Sequence, residues 1–172
     1  SAIRATTPPS TVQAHLRSIA SEQVASPWVA TQLAELTGPG DHRAATVILE
    51  AAGASEVAPD VSARLLEHVL RIGPPSGVAE RTVETDLVTS LARAGDLEVA
   101  SARGHELLER SPGEDPSPRL TAELRRIVAR IDLGLGRMEG AVAAGRALVE
   151  EDDVFGQRAS SDLLLTEVLT LR

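Results

Sequence analysis

The residues able to do chemistry in this chain are few and scattered. It has no cysteine and no lysine, so all 17 of its basic residues are arginine. The first absence removes disulfides, thiolate nucleophiles and Cys-ligated zinc or iron–sulfur centres. The second removes the phosphate-binding P-loop, whose lysine reaches the β- and γ-phosphates. His15, His42, His68 and His105 stand one to a helical stretch, with no His-x-x-x-His or His-x-x-Glu-His spacing. They read as solvated or packed imidazoles rather than metal ligands. Glu67-His68 and His105-Glu106 are chain neighbours that point in different directions on a helix. Ser160-Ser161-Asp162 reads as a helix cap. Glu150-Glu151-Asp152-Asp153 reads as a helix end, because a calcium loop alternates its ligands around a glycine. Gly38-Pro39-Gly40 reads as a turn between helices rather than an anion nest. No catalytic, cofactor-binding or metal-binding set is expected.

What remains is scaffold, and its composition is one-sided. Of 172 residues 42% are hydrophobic but only 1% aromatic, namely Trp28 and Phe155. Sheets lean on aromatic and β-branched side chains, whereas Ala, Leu, Glu and Arg favour helix. The expected fold class is all-α. The net charge of −8 opposes a polyanionic partner, so direct binding of nucleic acid by this segment is not expected. No apolar run reaches the roughly 18–20 residues that span a bilayer, and the first residues lack a signal-peptide pattern. A cytoplasmic protein is expected, and the chain is taken as a fragment of a longer one.

Punctuation divides the chain into about nine helices. After a lead-in over residues 1–9, a single helical-repeat domain is expected over 10–172. Ser10 with Gln13 opens a helix reaching about Ala25, and Ser26-Pro27 starts a second by a capping serine and a first-turn proline. Asp41 caps a third, which stops before Gly53. An amphipathic stretch over 60–72 is stopped by Gly73-Pro74-Pro75. Helices over 78–94 and 96–110 follow, then a loop over 111–117. Ser117-Pro118 begins the next helix, which turns at Gly136-Arg137 into one running from Met138 to about Glu151. Asp152-Asp153 is expected to break it before a last helix from Phe155.

Residues 87–112 form the clearest unit, two helices folded on Gly95-Asp96. The run Gly95-Asp96-Leu97-Glu98-Val99-Ala100 returns as Gly136-Arg137-Met138-Glu139-Gly140-Ala141, an offset of 41 residues. A fainter copy starts at Gly40-Asp41, 55 residues before Gly95. Self-similarity of this length marks a helical solenoid, whose hairpins bury their apolar faces only by stacking. In the template, glycine supplies the turn. Ala100 and Ala141, one turn later, let backbones approach closely.

Leu87, Val88, Leu91, Gly95-Asp96, Ala100, Leu107 and Pro112 resemble the tetratricopeptide repeat. The second copy departs from it at Asp132, where an apolar residue is usual, and at Asp153. The wording of residues 28–151 is also similar to the helical region of large ATP-binding, MalT-like LuxR-type transcriptional regulators of actinobacteria. There such a region joins a P-loop ATPase module to a helix-turn-helix. These resemblances imply a right-handed superhelical stack of antiparallel hairpins, a tetratricopeptide-like α-solenoid. They also imply a concave groove lined by the first helix of each hairpin. Register from the turn glycines then gives Thr82, Thr85, Thr89 and Arg93, followed by Glu123, Arg126 and Arg130, as groove positions.

An arginine patch there suits a carboxylate partner. The plainer alternative is that Arg125, Arg126 and Arg130 keep a helix soluble and pair with Glu123 or Asp132. The implied function is a non-catalytic interaction or sensor scaffold, contacting protein, peptide or other modules of its own chain, with self-association through an apolar end at residues 163–171. The alternatives are a stand-alone peptide-binding adaptor, or an inducer-binding domain with an apolar cavity near Trp28.

Overall fold

The computed structural model describes residues 26–110 and 118–155, with side chains of the last helix described as far as residue 148. The lead-in, the expected helix over 10–25, the loop over 111–117 and the expected last helix lie outside these residues. Seven helices are described: α1 (Pro27–Leu36), α2 (His42–Ala52), α3 (Pro59–Ile72), α4 (Glu80–Ala94), α5 (Leu97–Glu109), α6 (Pro118–Gly134) and α7 (Met138–Phe155). No strand occurs among the described residues, and the chain is all-α. Its contacts gather into two compact units divided inside α4, Ser1–Val83 and Glu84–Arg172.

In the first unit the caps act as their residue types demand. Ser26 accepts a long bond of 3.5 Å from the Val29 amide, and Asp41 accepts from the Ala44 amide at 3.1 Å. Each satisfies an amide that a helix start leaves without a partner. Ala58 caps α3 without a side-chain bond, and Pro59 takes the first helical position. Helix α1 packs on α2 and α3, and α2 packs on α3. Ala30, Leu33, Ala34, Ala44, Ala45, Ile48, Leu65 and Val69 are fully or almost fully buried at their core. The turn before α2 is tied to the end of α3. The Gly40 amide donates to Ile72 O at 2.7 Å, and His42 Nδ1 donates to Pro74 O at 2.9 Å. Gly73, at φ 103°, then leaves the helix by a backbone shape that side-chain-bearing residues rarely adopt.

In the second unit two turns are built alike. The Asp96 amide donates to Leu91 O at 3.0 Å and the Gly95 amide to Ala92 O at 3.2 Å. Forty-one residues on, Arg137 donates to Asp132 O at 2.8 Å and Gly136 to Leu133 O at 3.0 Å. Both pairs form the Schellman helix ending, with glycine at φ 92° and φ 75°. The following helix starts also correspond, Ala100 to Asp96 O and Ala141 to Arg137 O. At Gly40 only the start is shared, Ala45 donating to Asp41 O. There α1 ends instead in extended backbone at Thr37, whose hydroxyl donates to Leu33 O at 2.6 Å.

Helix α5 packs on α6 and α6 on α7. Ala100 and Ala141 are fully buried, and so are Leu124 and Leu148. Each buried leucine contributes about 1.5–3 kcal/mol of transfer free energy. Gly104, four residues after Ala100 on the same helix face, sits even closer to its neighbours. A Cβ there would lie 2.4 Å from Val128 Cγ2 and 3.6 Å from Val88 Cγ1.

Two expected boundaries move. Helix α4 starts at Glu80 rather than 78, after a turn in which the Val78 amide donates to Pro75 O. Asp152-Asp153 does not break α7, which continues to Phe155. Aspartate costs a helix interior only about 0.7 kcal/mol or less, and neither Gly nor Pro interrupts residues 146–155.

Candidate functional site

Helix α6 has two distinct faces. Ala122, Leu124, Val128, Ala129, Ile131 and Asp132 are buried. On the other side Arg119, Glu123, Arg126, Ile127 and Arg130 line a surface depression of about 300 Å³. The three groove positions expected on this helix, Glu123, Arg126 and Arg130, are thus brought together. Glu123 and Arg130 are exposed and Arg126 is half-buried.

The positions expected on α4 fare differently. Arg93 is exposed, while Thr82 and Thr89 are half-buried, Thr82 belonging to the first unit. Thr85 is buried and its carbonyl accepts the Thr89 hydroxyl at 3.0 Å, so it offers no surface to a ligand. Asp86, one residue on, is exposed and close enough to α6 to feel Glu123. Partial loss of hydration, and secondly the Glu123 carboxylate, hold its carboxyl above the ordinary carboxylate range.

The inner face of α6 carries a polar cluster. Asp132 is only 3% exposed. Its Oδ1 accepts from Ser101 Oγ at 2.7 Å and its Oδ2 from His105 Nε2 at 2.9 Å. Arg137 Nη1 donates to Ser101 Oγ at 2.7 Å and lies 3.6 Å from Asp132 Oδ1, while its Nη2 reaches Glu98. Serine, histidine and aspartate are the side chains of an acyl-transfer triad, but here the order differs. Ser101 is bonded to the aspartate rather than to the histidine, it is fully buried, and its oxygen already accepts from an arginine. A triad needs the imidazole to take the serine proton. As arranged, the cluster satisfies a buried carboxylate and ties α5, α6 and the turn into α7 together.

One sign of this cluster was present in the sequence. Asp132 falls on Leu91 at the 41-residue offset, a polar residue in an apolar slot. In the helix-ending motif that slot commonly makes an apolar contact with the residue just past the glycine. Here the two are Asp132 and Arg137, and an ion pair takes its place. Arg110 makes a second bridge, from the end of α5 to Glu84 of α4 at 2.7 Å and to Glu106 at 3.3 Å.

In the first unit Thr31, Glu35, Val61, Arg64, Leu65 and His68 line a cleft of about 160 Å³ between α1 and α3. Its walls mix the apolar Val61 and Leu65 with the polar side chains of Thr31, Glu35, Arg64 and His68. Trp28 is 67% exposed and does not line it. His68 accepts a bond at Nδ1 from Arg71 at 2.5 Å, and Arg71 also donates to Ala34 O. Among the described residues no group of three or more His, Asp or Glu side chains is arranged to hold a metal ion, and no helix is long and apolar enough to cross a membrane.

No protein-family model, curated protein or solved structure matches this chain.

Proposed function

We propose that this chain is a non-catalytic helical-repeat scaffold, part of a tetratricopeptide-like α-solenoid in a LuxR-type transcriptional regulator. It binds a protein partner, or another module of its own chain, through a preformed surface. The observation that supports this best is the repeated turn. Two glycine-centred helix endings, 41 residues apart, share their backbone hydrogen bonds donor for donor, each followed by a helix with a fully buried alanine in its first turn. Stacked hairpins of this kind are sums of similar units, and they leave the outer face of each first helix for recognition. On α6 that face carries Arg119, Glu123, Arg126 and Arg130.

Binding would then work without large rearrangement, because the surface is held by helix packing rather than by loops. The protein would act in the cytoplasm, and DNA contact would be left to a separate helix-turn-helix. Fold does not by itself identify function, so the test lies in gene context. A coding sequence with a P-loop ATPase module upstream and a helix-turn-helix downstream supports the regulator. An uninterrupted gene with neither module sinks it and leaves a stand-alone peptide-binding adaptor.

A further inference from the structure

Residues 118–130 hold four arginines and one carboxylate, an excess of three positive charges in a chain whose net charge is −8. Arg119, Glu123, Arg126 and Arg130 follow one another at helical spacing, so they form a single stripe. At 1.5 Å per residue, Arg119 and Arg126 are about 10 Å apart along the axis, and Arg126 and Arg130 about 6 Å. Ile127 adds an apolar patch to the depression they line. Along the stripe the charges read positive, negative, positive, positive.

We propose that this face of α6 docks an acidic peptide segment, whose carboxylates pair with Arg119, Arg126 and Arg130 and whose single basic residue sits opposite Glu123. Guanidinium groups suit this role, since each can take a carboxylate by two parallel hydrogen bonds. The basic residue follows from Glu123, the one carboxylate among the residues that line the depression, whose charge a partner cation balances. A nucleic acid strand fits worse. Its uniform phosphates would meet the Glu123 carboxylate, and the remainder of the chain is strongly acidic.

Because the site rests on the scaffold function proposed above, its test must be able to fail separately. The whole chain is titrated, by fluorescence anisotropy at low salt, with three labelled synthetic helical peptides. One carries glutamates with a single arginine in the complementary order, one is its composition-matched scramble, and one has glutamate in place of the arginine. The patterned peptide should bind best, and binding should weaken as salt rises. Arg119→Glu combined with Arg130→Glu, both at exposed positions, should weaken it about tenfold or more while the circular dichroism spectrum and melting temperature stay as they were. Glu123→Gln should narrow the gap between the patterned and all-glutamate peptides.

Equal binding of pattern and scramble, or no effect of the double reversal, overturns the proposal. So does displacement of the peptide by a short DNA duplex at lower concentration than by unlabelled peptide. None of these outcomes bears on gene context, so the scaffold function stands or falls independently.

Discussion

Ser101 and Asp132 meet across the α5–α6 interface at 2.7 Å, and both are buried. A buried carboxylate is tolerated only when its acceptors are filled, and here Ser101 and His105 fill them, with Arg137 supplying charge. Asp132→Ala should therefore cost about 2–3 kcal/mol. The lower part of the usual range applies because His105 and Arg137 are about half exposed and can return to water. Leu91 shows what the same slot holds in the other hairpin. Asp132→Leu together with Ser101→Ala should accordingly stay within about 1 kcal/mol of the original protein. Urea unfolding followed by circular dichroism reads both. An unchanged midpoint for Asp132→Ala would mean that the cluster carries no stability.

Gly104→Ala gives a prediction whose sign is informative. In an exposed helix interior this change stabilises by about 1 kcal/mol. Here the new methyl would fall 2.4 Å from Val128 Cγ2, on a buried β-branched side chain with little rotamer freedom. A net loss of about 1–3 kcal/mol is expected. Adding Val128→Ala should recover the part due to the clash. A melting temperature that rises in the single variant would show that α5 and α6 are further apart.

What could be seen in advance depended on how local the cause was. Ser26, Asp41, Gly73, Gly95 and Gly136 act within a few residues of themselves, so their types announce caps and turns. Ala100 and Ala141 were legible because the repeat placed them in equivalent slots. Gly104 was not singled out, because a lone helical glycine looks like a weak helix former until the neighbour it admits is known. The partners of Asp132 lie 27 and 31 residues earlier in the chain, at His105 and Ser101. Sequence marked that slot as odd without saying what filled it. On α4, counting from the turn puts Thr85 outward, yet it is Asp86 that is exposed and Thr85 that is buried. An error of one residue turns a helix by about 100°.

Asp86 should respond to pH in a direction that follows from its raised carboxyl. A carboxyl that titrates higher in the folded than in the unfolded chain opposes folding once both forms have lost their proton. The penalty is complete above the folded value and absent below the ordinary carboxylate range. Asp86→Asn should hence stabilise the protein at pH 7, and the advantage should disappear on acidification through that range. Glu123→Gln should lower the titration midpoint of Asp86 in a carboxyl-detected NMR experiment. If the midpoint stays put, desolvation alone sets it.

His68 should make the first unit sensitive to acid from the opposite direction. Arginine can only donate, so the bond from Arg71 requires Nδ1 of His68 to be an acceptor and the ring to be neutral. Burial, and secondly the Arg71 charge, lower its pKa, against an opposing pull from Glu35 and Glu67. A histidine that titrates lower in the folded than in the unfolded chain contributes nothing above the unfolded value of about 6.5. Stability is then lost as pH falls from there through the folded value, because the unfolded chain takes up the proton first. Between pH 7 and pH 5, His68→Gln should therefore lose less stability than the original protein, with the difference confined to the unfolding of the first unit. Hydrogen exchange at the α1 and α3 amides can isolate that unit. Parallel pH dependence in the two proteins there would mean that the imidazole is already free to protonate in the folded chain.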